Sequence, residues 1–163
     1  MIESFGRDRI NERQLLLAPV PGLDAWPVDL PEVEGEFVAF VAVDATGIPD
    51  TTLEGFAQKL LSQHAAYVCI WGPDCERVHD VVDAVRDRDH PGGEDDAVVM
   101  TTWHADDTLD QALWFALYTA CPHDQLIETC AATVCIVVGR DDWAADVRAA
   151  LSDPDALTAR VAD

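Results

Sequence analysis

A chain of 163 residues with 49% hydrophobic content can bury one sizeable core and is too short for two ordinary domains. Its formal net charge of −21, from 31 Asp and Glu against 10 Lys and Arg, opposes nucleic-acid binding, because neutralising a phosphate backbone requires a basic surface. No window approaches the roughly 18 uncharged apolar residues of a membrane span, and the N-terminus lacks the basic-then-apolar order of a signal peptide, so no membrane partner and a cytoplasmic location are expected.

The cysteines agree with that setting, since their number, 5, is odd and no pair has zinc-finger spacing. Cys69 and Cys135 fall inside predicted strands, where small thiols pack as hydrophobes. The acidity itself has two readings. It keeps a protein soluble, also in a salty cytoplasm, and it attracts a basic partner and raises its on-rate.

From Met1 to Glu36, Pro19, Pro21, Pro27 and Pro31 preclude a helix, while Leu15, Leu16, Leu17, Trp26 and Leu30 argue against a free tail. Residues 1–35 are therefore expected as a proline-rich extended arm packed on the domain, with one short edge strand at Gln14 to Leu17. Residues 36–163 are expected as a single α/β domain. A segment that orders only on a partner is the alternative for the arm.

Four β-branched apolar runs follow, Phe37 to Val43, Tyr67 to Ile70, Val98 to Met100 and Thr133 to Val138, each leading into a polar cluster and then an amphipathic helical pattern. Strands buried on both faces read as continuous apolar runs, and parallel strands need helical crossovers. The expected fold is a single doubly wound, mainly parallel α/β sheet of four to five strands with helices on both faces, three-layered and Rossmann-like or flavodoxin-like. Ligands in such sheets gather outside the carboxyl ends of the strands.

The first helix is expected near Thr51, where Thr51 and Glu54 have capping-box spacing and Leu53, Phe56, Ala57, Leu60 and Leu61 share a face. In the second, Asp74 is a candidate N-cap and Val78, Val81, Val82 and Val85 mark the buried stripe. Asp87 to Asp96, with Pro91, Gly92 and Gly93, predicts a mobile acidic loop. The third strand is expected from Ala97 to about Thr102. Thr108 can cap a helix whose residues Ala112 to Ala120 are apolar on nearly every side, which predicts deep burial or a homodimer contact. A short helical turn is expected within His123 to Cys130. Asp141 or Asp142 caps a further helix, and Asp153 and Pro154 close it before a C-terminal helix or tail.

Two polar clusters carry candidate chemistry. In Trp71 to Asp80, Cys75 lies in the first turn of a helix, where amide groups and the macrodipole favour a thiolate. His79 follows one turn later and Asp83 another turn on, an order that suits nucleophile, base and orienting carboxylate. Ordinary packing beside the Val78 and Val82 stripe, with a His79 to Asp83 surface contact, explains the same residues. In Thr101 to Asp107, hydroxyls, Trp103, His104 and two carboxylates suit a small polar ligand, with Trp103 as a stacking wall. Asp44 completes this rim from the first strand, although an acid there is also a turn former. His79, His104 and Asp106 have no recognised metal-ligand spacing, so no metal is expected. Glycine-rich dinucleotide and phosphate loops and the G-x-S-x-G elbow are absent, and no cofactor is expected.

At Trp71 to Asp80, Met100 to His104 and Ala112 to Phe115, and from about Leu15 to Gly139 overall, the chain resembles a family of small uncharacterised bacterial proteins known only as a domain of unknown function. That resemblance implies a bacterial origin and no activity.

Two functions remain open. One is a binding or regulatory module, such as an immunity-like inhibitor of a basic protein or a small-ligand binder, using Asp44, Trp71, Asp74, Thr102, Trp103 and His104. The other is a hydrolase or transferase with Cys75 or water as nucleophile and His79 or His104 as base.

Overall fold

The structure is a computed structural model, and it describes residues 2–92 and 97–163. Among those residues the chain forms β1 (Glu3–Arg7), β2 (Gln14–Val20), β3 (Glu36–Ala42), α1 (Asp50–Ser62), β4 (Ala65–Trp71), α2 (Cys75–Asp89), β5 (Met100–Trp103), α3 (Leu109–Trp114), β6 (Cys130–Val138), α4 (Asp141–Ser152) and α5 (Pro154–Ala162). The strands make one 6-stranded sheet in the order β1-β2-β6-β3-β4-β5. β1 is antiparallel to β2, and β2, β6, β3, β4 and β5 are mutually parallel. Their carboxyl ends therefore meet at one edge.

Alternation along each strand sends side chains to two separate cores. Phe37, Ala39, Val41, Val68, Ile70, Val134 and Ile136 pack under α1 and α2 with Leu53, Phe56, Leu60, Val78 and Val82. Val38, Phe40, Tyr67, Cys69, Cys135 and Val137 face α3, α4 and α5 with Leu113, Leu117, Val147, Leu151 and Leu157. The result is three layers. β3 and β6 are buried almost throughout because both faces are covered, which is why they read as unbroken apolar runs.

The N-terminal segment departs from the expected edge strand. The strand containing Gln14 to Leu17 is interior, extends to Val20 and is flanked by β1 and β6. Proline is tolerated because Val20 O accepts the Gly139 amide, so the alternating peptide of Pro19 turns away from β6, beyond the last β1 pair, Glu3 with Leu17. Asp8, buried in the β1–β2 turn, accepts backbone amides from Ile10 and Asn11. The sheet thus has six strands where four to five were expected.

Other boundaries move for local reasons. α1 starts at Asp50 behind Pro49, with no side-chain cap from Thr51, whereas the capping box forms at Thr108 and Gln111. α2 continues through Asp89, so the predicted loop begins later, and its residues 93–96 lie outside the described ones. β5 begins at Met100, three residues after the expected start. α3 widens into a π turn over residues 115–119, and Ala112, Leu113, Ala116 and Leu117 are buried against the chain's own sheet. No helix among the described residues is long and apolar enough to cross a membrane.

Candidate functional site

The carboxyl ends of β4 and β5 enclose a cleft of about 440 Å3 lined by Trp71, Gly72, Pro73, Asp74, Cys75, Glu76, His104, Ala105 and Asp107. It forms because the chain leaving β4 is drawn against β3. Gly72, at φ +122°, lies so close to β3 that a Cβ there would sit 2.0 Å from Val43 O. Val43 N donates to Trp71 O at 3.0 Å, Ala45 N to Pro73 O at 3.0 Å, and His104 N to Ile70 O at 2.9 Å. Asp74 takes a left-handed conformation at the N-cap of α2 but does not cap it with its side chain. Its carboxylate accepts from Arg77 Nε at 2.8 Å, while Arg77 Nη1 reaches Asp50 at 2.6 Å and Nη2 donates to Ala45 O at 2.7 Å. One guanidinium thereby ties the starts of α1 and α2 to the end of β3.

Trp71 forms the aromatic wall. Its indole Nε1 donates to Asp107 O at 2.8 Å, and its ring meets Trp143 edge-on with centroids 4.8 Å apart. The Arg140 guanidinium stacks 4.1 Å from the Trp143 ring and holds Asp142 through Nε and Nη2. Opposite, His104 is fixed on both ring nitrogens, with Nδ1 2.9 Å from Asp107 Oδ2 and Nε2 2.9 Å from Thr102 Oγ1. Its ring packs on Phe115, with centroids 4.6 Å apart.

Of the residues that sequence reasoning selected, the structure brings Trp71, Asp74, Cys75 and His104 to one cleft, with Thr102 behind His104. Cys75 is buried, and that burial raises its thiol pKa above the ordinary value; the amides of His104, Cys75 and Glu76 near the sulfur offset this only in part. Thiolate formation is disfavoured there. His79 is not in the lining: it contacts Asp80 at 3.0 Å and Asp83 at 3.4 Å, and its ring meets that of Trp103 at a 55° tilt with centroids 4.5 Å apart, on the α2 side of β5. Trp103 is on that outer surface too, away from the cleft. Asp44 stands after β3, where its carboxylate accepts the Thr46 amide at 3.0 Å. Hydrogen bonds from the Thr46 side chain and backbone hold its pKa below the usual carboxylate range, with Arg140 adding to the effect. Its observed role is the turn.

Sequence reasoning placed Gly72 and Asp107 inside the two polar clusters without singling either out, and missed Arg140 and Trp143 as parts of this edge. Asp107 is three residues from His104 in the same cluster, whereas the Trp71–Trp143 contact joins distant segments with no local signal. Among the described residues no group of three or more His, Cys, Asp or Glu is arranged to hold a metal ion. A second cleft of similar size lies at the ends of β2 and β6, lined by Pro19, Val20, Pro21, Val137, Gly139, Arg140 and Asp141. The direction of winding reverses between β3 and β6, so the two clefts flank the switch point.

Comparison with curated proteins gives no match. The family model described as Domain of unknown function (DUF7684) matches residues 22–154, and the chain belongs to that family.

Proposed function

We propose that this domain is a cytoplasmic binding module for a basic protein partner, which places a lysine or arginine side chain in the Trp71 cleft. The observation that carries this reading is the lining itself: an indole and the carboxylates of Asp74, Glu76 and Asp107, with no lysine or arginine among the lining residues. A cation entering there would meet an aromatic face and negative charge together, a combination that strengthens as water is excluded. The net charge of −21 would steer such a partner from a distance. The five cysteines, all unpaired, support a reducing cytoplasm.

The test is a comparison of two double variants with equal loss of charge. Glu76→Gln with Asp107→Asn alters the cleft; Glu32→Gln with Glu34→Gln alters the exposed segment leading into β3, at the amino end of the sheet. Binding of a labelled arginine-rich peptide is expected to weaken about tenfold in the first, equivalent to ~1.4 kcal/mol, and within about twofold in the second. Equal losses would reduce the cleft to one more patch of a uniformly acidic surface and end the reading.

A hydrolase or transferase is the second reading, and one observation favours it. His104 lines the cleft with its Nδ1 held by Asp107, as a base held by an orienting carboxylate would be, and its Nε2 meets a hydroxyl, that of Thr102. Thr102 is not in the cleft lining, and Cys75 is buried with a raised thiol pKa, which is why binding is preferred. Turnover of small ester substrates, abolished by His104→Ala, would reverse that preference.

A further inference from the structure

Resting on the basic-partner reading, we infer that the partner docks by adding an extended basic strand to β5. β5 is the last strand of the sheet on its side, and β4 pairs with only one of its edges. His104 N donates to Ile70 O, so by alternation Met100 and Thr102 turn their peptide groups to β4 and Thr101 and Trp103 turn theirs outward. Val99 obeys the same parity, its carbonyl accepting from Arg86 Nη1 at 3.0 Å. The outward peptide groups of Thr101 and Trp103 have no hydrogen-bond partner among the described residues.

Natural sheets protect such edges with lysine, proline, a bulge or a covering helix. β5 is short, 4 residues, which itself limits pairing, but it has none of these among Met100–Trp103, and its register with β4 is unbroken. Instead its exposed side chains are large and apolar. Val98, Met100 and Trp103 are 44%, 42% and 43% exposed, three of the few large hydrophobic residues left uncovered on the described surface. Met100 lies on the face shared with Tyr67, and Trp103 on the face shared with Ile70, so a strand laid alongside would cover both in turn.

Charge selects the occupant. On the Trp103 face α2 presents Asp80, Asp83 and Asp87: Asp80 touches the His79 whose ring packs at a tilt against Trp103, Asp83 accepts from Thr101 Oγ1 at 2.5 Å, and Asp87 pairs with Arg86. Asp106 and Asp107 follow at the end of the strand, and among the described residues Arg86 is the one lysine or arginine that these carboxylates contact. A segment alternating apolar and basic residues would rest its apolar side on Met100 and its cations against α2. A second copy of this chain would bring the same carboxylates against each other, at −21 per copy.

The probe is a fluorescein-labelled alternating Lys-Val octapeptide, titrated into the whole protein at an ionic strength of about 0.01 M, where charges act over ~30 Å. Saturable binding that weakens with salt is expected, with slowed amide exchange at Thr101 and Trp103. N-methylation of the alternate peptide residues that face β5 should weaken binding at least about tenfold, and the same change on the other set by no more than about threefold. Met100→Lys, at an exposed position, should weaken it about tenfold.

Indifference to N-methylation, with protection at Asp74 to Glu76 or His104 to Asp107, would overturn strand addition while leaving the basic-partner reading intact. Absence of binding overturns the edge proposal, and the cleft variants then decide the wider reading independently. Equal binding of a Glu-Val octapeptide overturns the charge argument. Dimerisation of the free protein that Met100→Lys abolishes assigns the edge to a second copy and overturns the proposed occupant.

Discussion

Replacing Gly72 with alanine tests the junction that shapes the cleft. The new Cβ would lie 2.0 Å from Val43 O and 2.9 Å from Val43 C, both backbone atoms of the chain just past β3, and neither can swing away as a side-chain tip would. The residue also sits at φ +122°, where an L side chain is strained at a cost of roughly 1–3 kcal/mol. Forcing apart well-packed neighbours costs typically a further 1–3 kcal/mol, so Gly72→Ala should lose about 2–6 kcal/mol in all. For a domain of this size that corresponds to a fall in Tm of about 4–24 °C. Gly47 supplies the control, because it too has a positive φ, +78°, but open space where a Cβ would go. Gly47→Ala should therefore show the backbone cost alone, roughly 1–2 kcal/mol. The two variants are compared by urea denaturation followed through tryptophan fluorescence, with the same slope required for both. If Gly72→Ala is no less stable than Gly47→Ala, the close approach of the β4 exit to β3 is wrong, and the cleft wall built on it falls.

Thr133 is fully buried in β6 with a hydroxyl that has no partner among the described residues, so Thr133→Val should stabilise by about 1 kcal/mol in urea denaturation; a loss of stability would mean the hydroxyl has a partner. Glu3, whose pKa is lowered mainly by its hydrogen bonds from Arg148, should add stability above its ordinary value of 4.5 and lose that contribution as pH falls through its lower folded value. The difference between wild type and Glu3→Gln in urea midpoint should accordingly shrink on acidification, and a difference that grew would reverse the assigned sign. Iodoacetamide at neutral pH should modify exposed Cys121 well before buried Cys75, as read by peptide mass spectrometry, and comparable rates would refute the desolvated thiol.

The parts of the fold that the sequence made legible are those where burial is two-sided. β3, β4 and β6 were readable as continuous apolar runs because helices cover both of their faces, and α1, α2 and α4 because a single buried stripe repeats at helical spacing. β2 was obscured by Pro19, whose tolerance depends on where β1 stops, a property of the neighbouring strand. β1, Glu-Ser-Phe-Gly-Arg, is a half-exposed edge strand with no run to detect. In the site, Trp71, Asp74, Cys75 and His104 were legible through their places at strand ends. Cys75 and His79, one turn apart on α2, part company because the helix passes from beneath the cleft to alongside β5, a divergence that only packing against the sheet imposes.

The acidity of the carboxyl edge divides into charge that the fold uses and charge that it leaves open. Helices α1, α2 and α4 all begin at this edge, and carboxylates in their first turns, Asp50, Glu76, Asp141 and Asp142, complement the positive ends of the helix dipoles. Asp50 and Asp74 are further neutralised by Arg77, Asp142 by Arg140, Asp44 is committed to its turn, and Asp107 to His104. Two of these carboxylates remain without an ion-pair partner among the described residues: Asp141, exposed in the lining of the second cleft, and Glu76, exposed in the lining of the first. The helix-dipole role of Glu76 is worth only about 0.3–1 kcal/mol, so Glu76→Gln should barely alter stability. A cation entering the cleft would find in Glu76 the one carboxylate of the lining not already engaged by the protein, and the cleft variants should accordingly owe more of their lost affinity to Glu76→Gln than to Asp107→Asn.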